Sequence, residues 1–273
     1  MRALVRVDDL ARDLTSQVLH VLDVQYALMG PPSEDLYAAE HLPGAQHLPM
    51  EGALAGPAGA GGRHPLPDPN ELQEALRQLG VDDESRIVVY DQQTSLAAAR
   101  AWWVLRWAGL TDVRVLDGGL AAWRESGHPT TTDVPTPRRG TVTLHPGATA
   151  FLDDVAAGHW AGSGRLLDVR TPERYRGEVE PIDPIAGRIP GAINLPMGLM
   201  MQADGTFRTP EEIRNAAAGA GIDLTSPVGT SCGSGITAAQ MVLALHEAGI
   251  DAVPYIGSWS AWITDPDRPI ARG

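Results

Sequence analysis

The sequence predicts an α/β protein of two tandem domains, each a parallel sheet flanked by helices. Three observations carry this expectation. Short apolar runs alternate with helix-length patterns along the chain, the order that builds parallel sheets with covered faces. The second half of the chain repeats the first. A polar, proline-interrupted stretch separates the two halves.

The repeat is legible in three places. Leu22-Asp23-Val24 returns 145 positions on as Leu167-Asp168-Val169, and Leu42-Pro43-Gly44-Ala45 returns 147 positions on as Ile189-Pro190-Gly191-Ala192. The run ending Leu120-Ala121-Ala122-Trp123 returns as Trp259-Ser260-Ala261-Trp262, 139 positions on. Matches in one order at nearly constant offset are what duplication followed by loop-length changes produces. Residues 130–140, rich in Thr and Pro, carry no helical or strand period and read as an extended linker. Domains are therefore expected at 1–129 and 141–273, each of ordinary size.

Within each half the elements follow from periodicity. Buried strands are expected at 18–24, 87–90 and 113–116, and again at 165–169, 227–231 and 252–255. Helices are expected over 71–79 and 97–108, and over 210–218 and 237–248. Gly109 and Gly249 stand where each of the longer helices stops.

Composition narrows the function. A net charge of −13 argues against nucleic acid and anionic membranes as partners, because their phosphate field repels most of the surface. No run approaches the roughly 18 apolar residues that span a bilayer. Residues 1–14 hold no uninterrupted apolar core and no small-residue cleavage site, so a secretory leader is not expected. One cysteine makes neither an internal disulfide nor a metal cluster. A cytoplasmic protein without cofactor or metal is the expectation.

That cysteine sits where chemistry is concentrated in such folds. In Thr230-Ser231-Cys232-Gly233-Ser234-Gly235-Ile236-Thr237 a strand ends, a glycine-rich loop turns, and a helix begins. Ligands of open α/β sheets bind at the carboxyl ends of strands. Gly233 and Gly235 allow successive backbone N–H groups to face one point, and the positive end of the helix dipole faces it too. Negative charge on the Cys232 sulfur is favoured there, as a thiolate or as a persulfide. The first half supplies a control: its junction, Tyr90-Asp91-Gln92-Gln93-Thr94-Ser95, puts Asp91 opposite Cys232 and has no glycine. That copy is expected to be inactive.

The loop from Cys232 to Ala238 resembles the active-site loop of 3-mercaptopyruvate sulfurtransferases, relatives of thiosulfate sulfurtransferase (rhodanese). Several further segments resemble that family: 41–45, 116–119, 174–177, 188–192 and 257–259. The resemblance implies two rhodanese-like domains and sulfur transfer through a Cys232 persulfide. The donor is a small anion and the acceptor is cyanide or a thiol, thioredoxin among them. Rhodaneses proper carry basic side chains after the nucleophile, suited to the thiosulfate dianion; here those positions are Gly233, Ser234 and Gly235, which favours 3-mercaptopyruvate and leaves thiosulfate as the alternative. The resemblance makes Arg174 the anchor of the donor carboxylate, with Arg176 and Arg188 as further candidates. It brings Ser234 and a histidine, for which His41 fits, into catalysis. Gly233, Gly235, Ile236 and Thr237 complete the binding loop. A second arginine common in the family nine residues after the first is Asp183 here, and no aspartate in clear register completes a Ser-His-Asp relay. A cysteine phosphatase would need arginine six residues after the cysteine, where Ala238 stands. A persulfide carrier or sensor without enzymatic activity is the remaining alternative.

Overall fold

The computed structural model describes residues 2–273. The first half folds into β1 (Leu4–Val5), α1 (Val7–Asp13), β2 (Leu19–Asp23), α2 (Ser33–Ala39), β3 (Gln46–His47), α3 (Pro69–Gln78), β4 (Arg86–Tyr90), α4 (Leu96–Trp107), β5 (Val113–Leu116) and α5 (Gly119–Glu125). The second half gives α6 (Asp154–Gly162), β6 (Leu166–Asp168), α7 (Pro172–Arg176), β7 (Ile193–Asn194), a 3₁₀ turn (Met197–Met200), α8 (Pro210–Gly219), β8 (Val228–Ser231), α9 (Ile236–Glu247), β9 (Ala252–Pro254) and α10 (Ser258–Trp262).

Two all-parallel sheets result. Their strand orders are β1-β5-β4-β2-β3 and β7-β6-β8-β9. The registers repeat as the sequence does: Asp23 pairs with Tyr90 in the first sheet and Asp168 with Ser231 in the second. The six expected strands and four expected helices form, with ends shifted by one or two residues. Three two-residue strands (β1, β3 and β7) have no counterpart in the sequence reading, because two residues are too few to show a period.

The central helices α4 and α9 are buried on nearly every side. Their alanines explain this: a helix covered all round needs no polar face, and small side chains let it lie close against the sheet. Each sheet has its own apolar core. In the first, Leu10, Val21, Leu42, Val88, Tyr90 and Trp123 pack together; in the second, Leu152, Leu166, Ile189, Tyr255, Trp259 and Trp262 do so. Among the described residues no helix is long and apolar enough to cross a membrane.

The chain divides into two compact units whose limits differ from a simple cut at residue 140. The first comprises 1–56, 66–149 and 203–206; the second comprises 57–65, 150–202 and 207–273. Residues 130–149 stay with the first unit because polar contacts fasten them there. Thr131 forms an antiparallel bridge with His41, and the Arg139 guanidinium bonds both Glu74 carboxylate oxygens at 2.7 and 2.6 Å. Residues 57–65 belong to the second unit although they lie in the first half of the sequence.

In the first unit the loop after β4 explains why that copy lacks a nucleophile. Asp91 is buried and accepts four backbone N–H groups, from Gln93 (3.1 Å), Ser95 (3.0 Å), Ala97 (2.8 Å) and Ala98 (3.3 Å). Burial pushes its carboxyl above the ordinary range while these donors pull it down. The amides that would receive an anion are taken by the chain's own carboxylate. Asp91→Ala leaves four donors without their acceptor, each costing roughly 1–3 kcal/mol if unsatisfied. A lower thermal unfolding midpoint is therefore expected, with a loss of about 2 kcal/mol or more. Asp91→Glu should recover little, because the longer side chain does not fit a buried loop.

Candidate active site

Cys232 immediately follows β8 and is 3% exposed. Its surroundings are polar despite this burial. The Gly235 N–H donates directly to the sulfur, at 3.1 Å from Sγ. The Ser258 hydroxyl lies 3.9 Å from Sγ, but it accepts from the Cys232 N–H at 3.0 Å and gives its proton to the Tyr255 carbonyl at 2.7 Å. The start of α10 clamps the loop: Trp259 N–H bonds the Cys232 carbonyl and Ser260 N–H bonds that of Gly233. Gly235 has φ +86°, and a Cβ there would stand 2.2 Å from the Ile256 carbonyl oxygen. Only glycine closes this turn. Ile236 and Thr237 open α9, so the helix N-terminus adjoins the sulfur as expected.

Gly233 has a different reason. A Cβ at this position would lie 2.8 Å from Nη2 of Arg63 and 3.3 Å from Nη2 of Arg174. The glycine makes room for two guanidiniums beside the nucleophile loop. Arg174 is 18% exposed and bonds Glu180 through Nε (3.2 Å) and Nη2 (2.6 Å). Arg63 bonds Asp183 through Nε (2.9 Å) and Nη2 (3.2 Å). Asp183 also lies 3.5 Å from Arg174. A third guanidinium, Arg170, is buried against Asp168 (2.6 Å) and Glu180 (3.3 Å) and sits over the Trp259 ring. Burial opposes the Arg170 charge, and Asp168, Glu180 and the Cys232 sulfur more than offset it, so its pKa lies above the ordinary arginine value. Glu180 is likewise disfavoured by burial, yet Arg174 and the Ile182 and Asp183 N–H groups hold its carboxyl below the usual range.

Ser234 meets a histidine, but not the one the sequence reading favoured. Its Oγ lies 2.8 Å from Nδ1 of His64, and both residues are buried. His41 belongs to the first unit, where it stacks on Tyr37. Its ring nitrogens face the carbonyls of Tyr37 (2.8 Å) and Asp133 (3.1 Å). Arg188 is also structural: it stacks on Tyr175, bonds the Gly273 carbonyl at 2.7 Å, and its backbone bridges Ala271. Arg176 is paired with Glu178 on the surface. Each of these three has a set of partners of its own: His41 two backbone carbonyls, Arg176 a surface carboxylate, and Arg188 the backbone of the last residues.

Arg63 and His64 escaped the sequence reading because they come from the first half of the chain. The segment 57–65 packs in the second unit, with Arg63 N–H bonded to Ser260 Oγ at 3.0 Å. One signal was available. A long glycine-rich stretch without regular structure, ending in Arg63-His64-Pro65, is the kind of loop that carries function. Among the described residues no three His, Cys, Asp or Glu side chains converge as metal ligands would.

The fold and this site define a class: duplicated parallel α/β domains with one cysteine in the strand-to-helix loop of the second copy. The rhodanese-like domain model matches the chain twice, over residues 6–126 and 151–265. SseB of Mycobacterium tuberculosis, provisionally named a thiosulfate sulfurtransferase, is 45% identical over 259 residues, covering 93% of this chain and 90% of that protein. A Pseudomonas aeruginosa protein, provisionally named a 3-mercaptopyruvate sulfurtransferase, is 42% identical and covers 99% and 98%. The crystal structure of SseA from Escherichia coli, a 3-mercaptopyruvate enzyme by its description, superposes with a TM-score of 0.84 at 28% identity, over 95% of this chain and all of that one. The chain belongs to the rhodanese family of sulfurtransferases.

Gly235→Ala tests the loop. It forces a strained φ and a clash with the Ile256 carbonyl, so the N–H that bonds Sγ moves away. Alkylation of Cys232 by iodoacetamide at neutral pH should slow by about tenfold or more, while unfolding remains cooperative.

Proposed function

We propose that the chain transfers sulfane sulfur from 3-mercaptopyruvate to a thiol or to cyanide through a persulfide on Cys232. The Cys232 thiolate attacks the donor sulfur, the sulfur–carbon bond breaks, and the carbon fragment leaves as the enolate of pyruvate. The proton of the donor thiol ends on the pyruvate methyl group, and the outgoing pair is Cys–S–S⁻ and pyruvate. An acceptor thiolate or cyanide then attacks the outer sulfur and returns Cys232 as thiolate.

The observation that carries this reading is the Ser234–His64 hydrogen bond of 2.8 Å beside the nucleophile. An enolate leaving group needs a proton, and a hydroxyl–imidazole pair is suited to moving one. Thiosulfate would release sulfite, a stable dianion that needs no proton. The uncharged loop Gly233-Ser234-Gly235 supports the same donor, because it stabilises charge by amides without the cations that suit a dianion. Arg174 is the proposed anchor of the donor carboxylate, with a guanidinium able to give parallel charge-assisted bonds. Thiosulfate remains the second reading, favoured by the name of the M. tuberculosis relative. The reading also puts the protein in the cytoplasm, where thiols are kept reduced and a lone reactive cysteine stays available.

Two measurements test the proposal. Incubation with 3-mercaptopyruvate should add the mass of one sulfur atom to the intact chain. Cyanide should remove it, and Cys232→Ser should never acquire it. In steady state, pyruvate release should show a larger kcat/KM than thiocyanate formation from thiosulfate; the reverse order overturns the donor. Arg174→Ala should lower kcat/KM for pyruvate release by about 100-fold, the cost of one charge-assisted anchor. Ser234→Ala should lower kcat with thiosulfate turnover much less affected.

A further inference from the structure

Arg63 and Asp183 have no role in the sulfur transfer proposed for Cys232, yet both adjoin its loop. Arg63 approaches Gly233 more closely than Arg174 does, and the two guanidiniums would repel one another were Asp183 not beside both, at 2.9 and 3.5 Å. Asp183 is 2% exposed at its side chain and Arg63 is 24% exposed. The carboxylate is thus committed to the protein interior while the guanidinium retains an open edge. Arg63 spends Nε and Nη2 on Asp183, and Arg174 spends Nε and Nη2 on Glu180. Neither pair uses Nη1, and both guanidiniums end over Gly233, a residue without a side chain, Arg63 through Nη2 and Arg174 through Nη2 and Nη1. Two guanidiniums converging on one point suit a carboxylate.

The charges around the loop balance. Arg63, Arg170 and Arg174 face Asp168, Glu180 and Asp183, three cations against three carboxylates. A site with no surplus positive charge accepts a singly charged donor beside an anionic sulfur more readily than a doubly charged one.

We infer that Arg63 is a donor-binding residue acting with Arg174, and that Asp183 is the positioning residue that holds Arg63 over the Cys232 loop and sets the site's preference for a singly charged donor. The inference rests on the proposed function for its donor and deepens it by naming the determinant of donor charge. Arg63 reaches the site from the segment 57–65, and the 2.9 Å bond to Asp183 fixes where its guanidinium ends.

The test compares the wild-type chain with Arg63→Ala, Arg63→Gln and Asp183→Asn, using 3-mercaptopyruvate and thiosulfate as donors and cyanide as acceptor. Arg63→Ala should raise KM for 3-mercaptopyruvate about tenfold or more while kcat changes less than about threefold. Asp183→Asn, which adds one net positive charge, should move the ratio of kcat/KM values toward thiosulfate by about tenfold. A pair serving only as a strut would change both donors equally, and that result overturns the inference. So does a KM for Arg63→Ala within twofold of wild type. Thermal midpoints identify any variant that fails to fold; Arg63→Gln, which retains a bond to Asp183 but loses the charge, then carries the same two criteria. If the wild type releases no pyruvate, the proposed donor falls. Arg63 is then judged on its KM for thiosulfate alone, where a tenfold rise supports it and no change overturns it.

Discussion

The active site depends on one backbone contact, the Gly235 N–H directed at the Cys232 sulfur at 3.1 Å. That contact exists because the chain turns between β8 and α9 with a left-handed residue pressed against the Ile256 carbonyl. The first unit shows what such a turn is built to hold. There the loop is one residue longer, Ser95 takes the left-handed position before α4, and Asp91 brings its own negative charge to four backbone amides. The two copies solve one electrostatic problem in two ways. A strand-to-helix junction concentrates N–H donors and the positive end of a helix, and something anionic must answer them. In the first copy the Asp91 carboxyl does so, through four backbone hydrogen bonds. In the second, Cys232 stands at that place and its sulfur faces the Gly235 N–H.

This division leaves the nucleophile loop free of charged side chains, and the cations are supplied from outside it. Arg170 and Arg174 come from the segment after β6, and Arg63 from the segment that crosses from the first half of the sequence. Each is held by a buried carboxylate. Burial of unpaired guanidiniums would be costly, and pairing removes most of that cost while leaving the hydrogen-bonding edge of each partly exposed group available. An amide faces the sulfur, and the guanidiniums of Arg63 and Arg174 end over Gly233.

Most of the fold was legible because it is written twice. Strands β2, β4, β6 and β8 are apolar runs long enough to recognise, and the helices α4 and α9 are marked by length and a terminal glycine. The loop at Cys232 stood out for the same reason, since there the two copies differ in both the thiol and the glycines. The sequence pointed to His41, whereas the histidine bonded to Ser234 is His64, and the repeat shows what His41 does. His41 and Arg188 stand 147 positions apart, the same offset as the Pro-Gly-Ala motif that follows each. Both bridge the terminal segment of their own unit, His41 to Thr131 and Arg188 to Ala271. A position doing the same work in both copies serves the fold. His64 and Arg63 belong to a stretch with no motif of its own, and only the tertiary structure reveals where it goes.

The segment 57–65 also bears on how a duplicated fold specialises. A Cβ on Gly62 would collide with the Gly257 carbonyl and with Ser260 Oγ, so this stretch can lie against α10 only because it is glycine-rich. Its backbone is then held by Ser260, the residue whose N–H also fastens the nucleophile loop through the Gly233 carbonyl. One serine thus links the loop bearing the thiol to the segment bearing Arg63 and His64. Residues 57–65 lie in the first half of the sequence but pack in the second unit, where they bring a cation, Arg63, and an imidazole, His64, to the Cys232 loop. A Cβ at Gly235 would meet the Ile256 carbonyl oxygen at 2.2 Å, and a side chain at Gly233 would displace the Arg63 and Arg174 guanidiniums, so the loop leaves this space to groups that come from other segments.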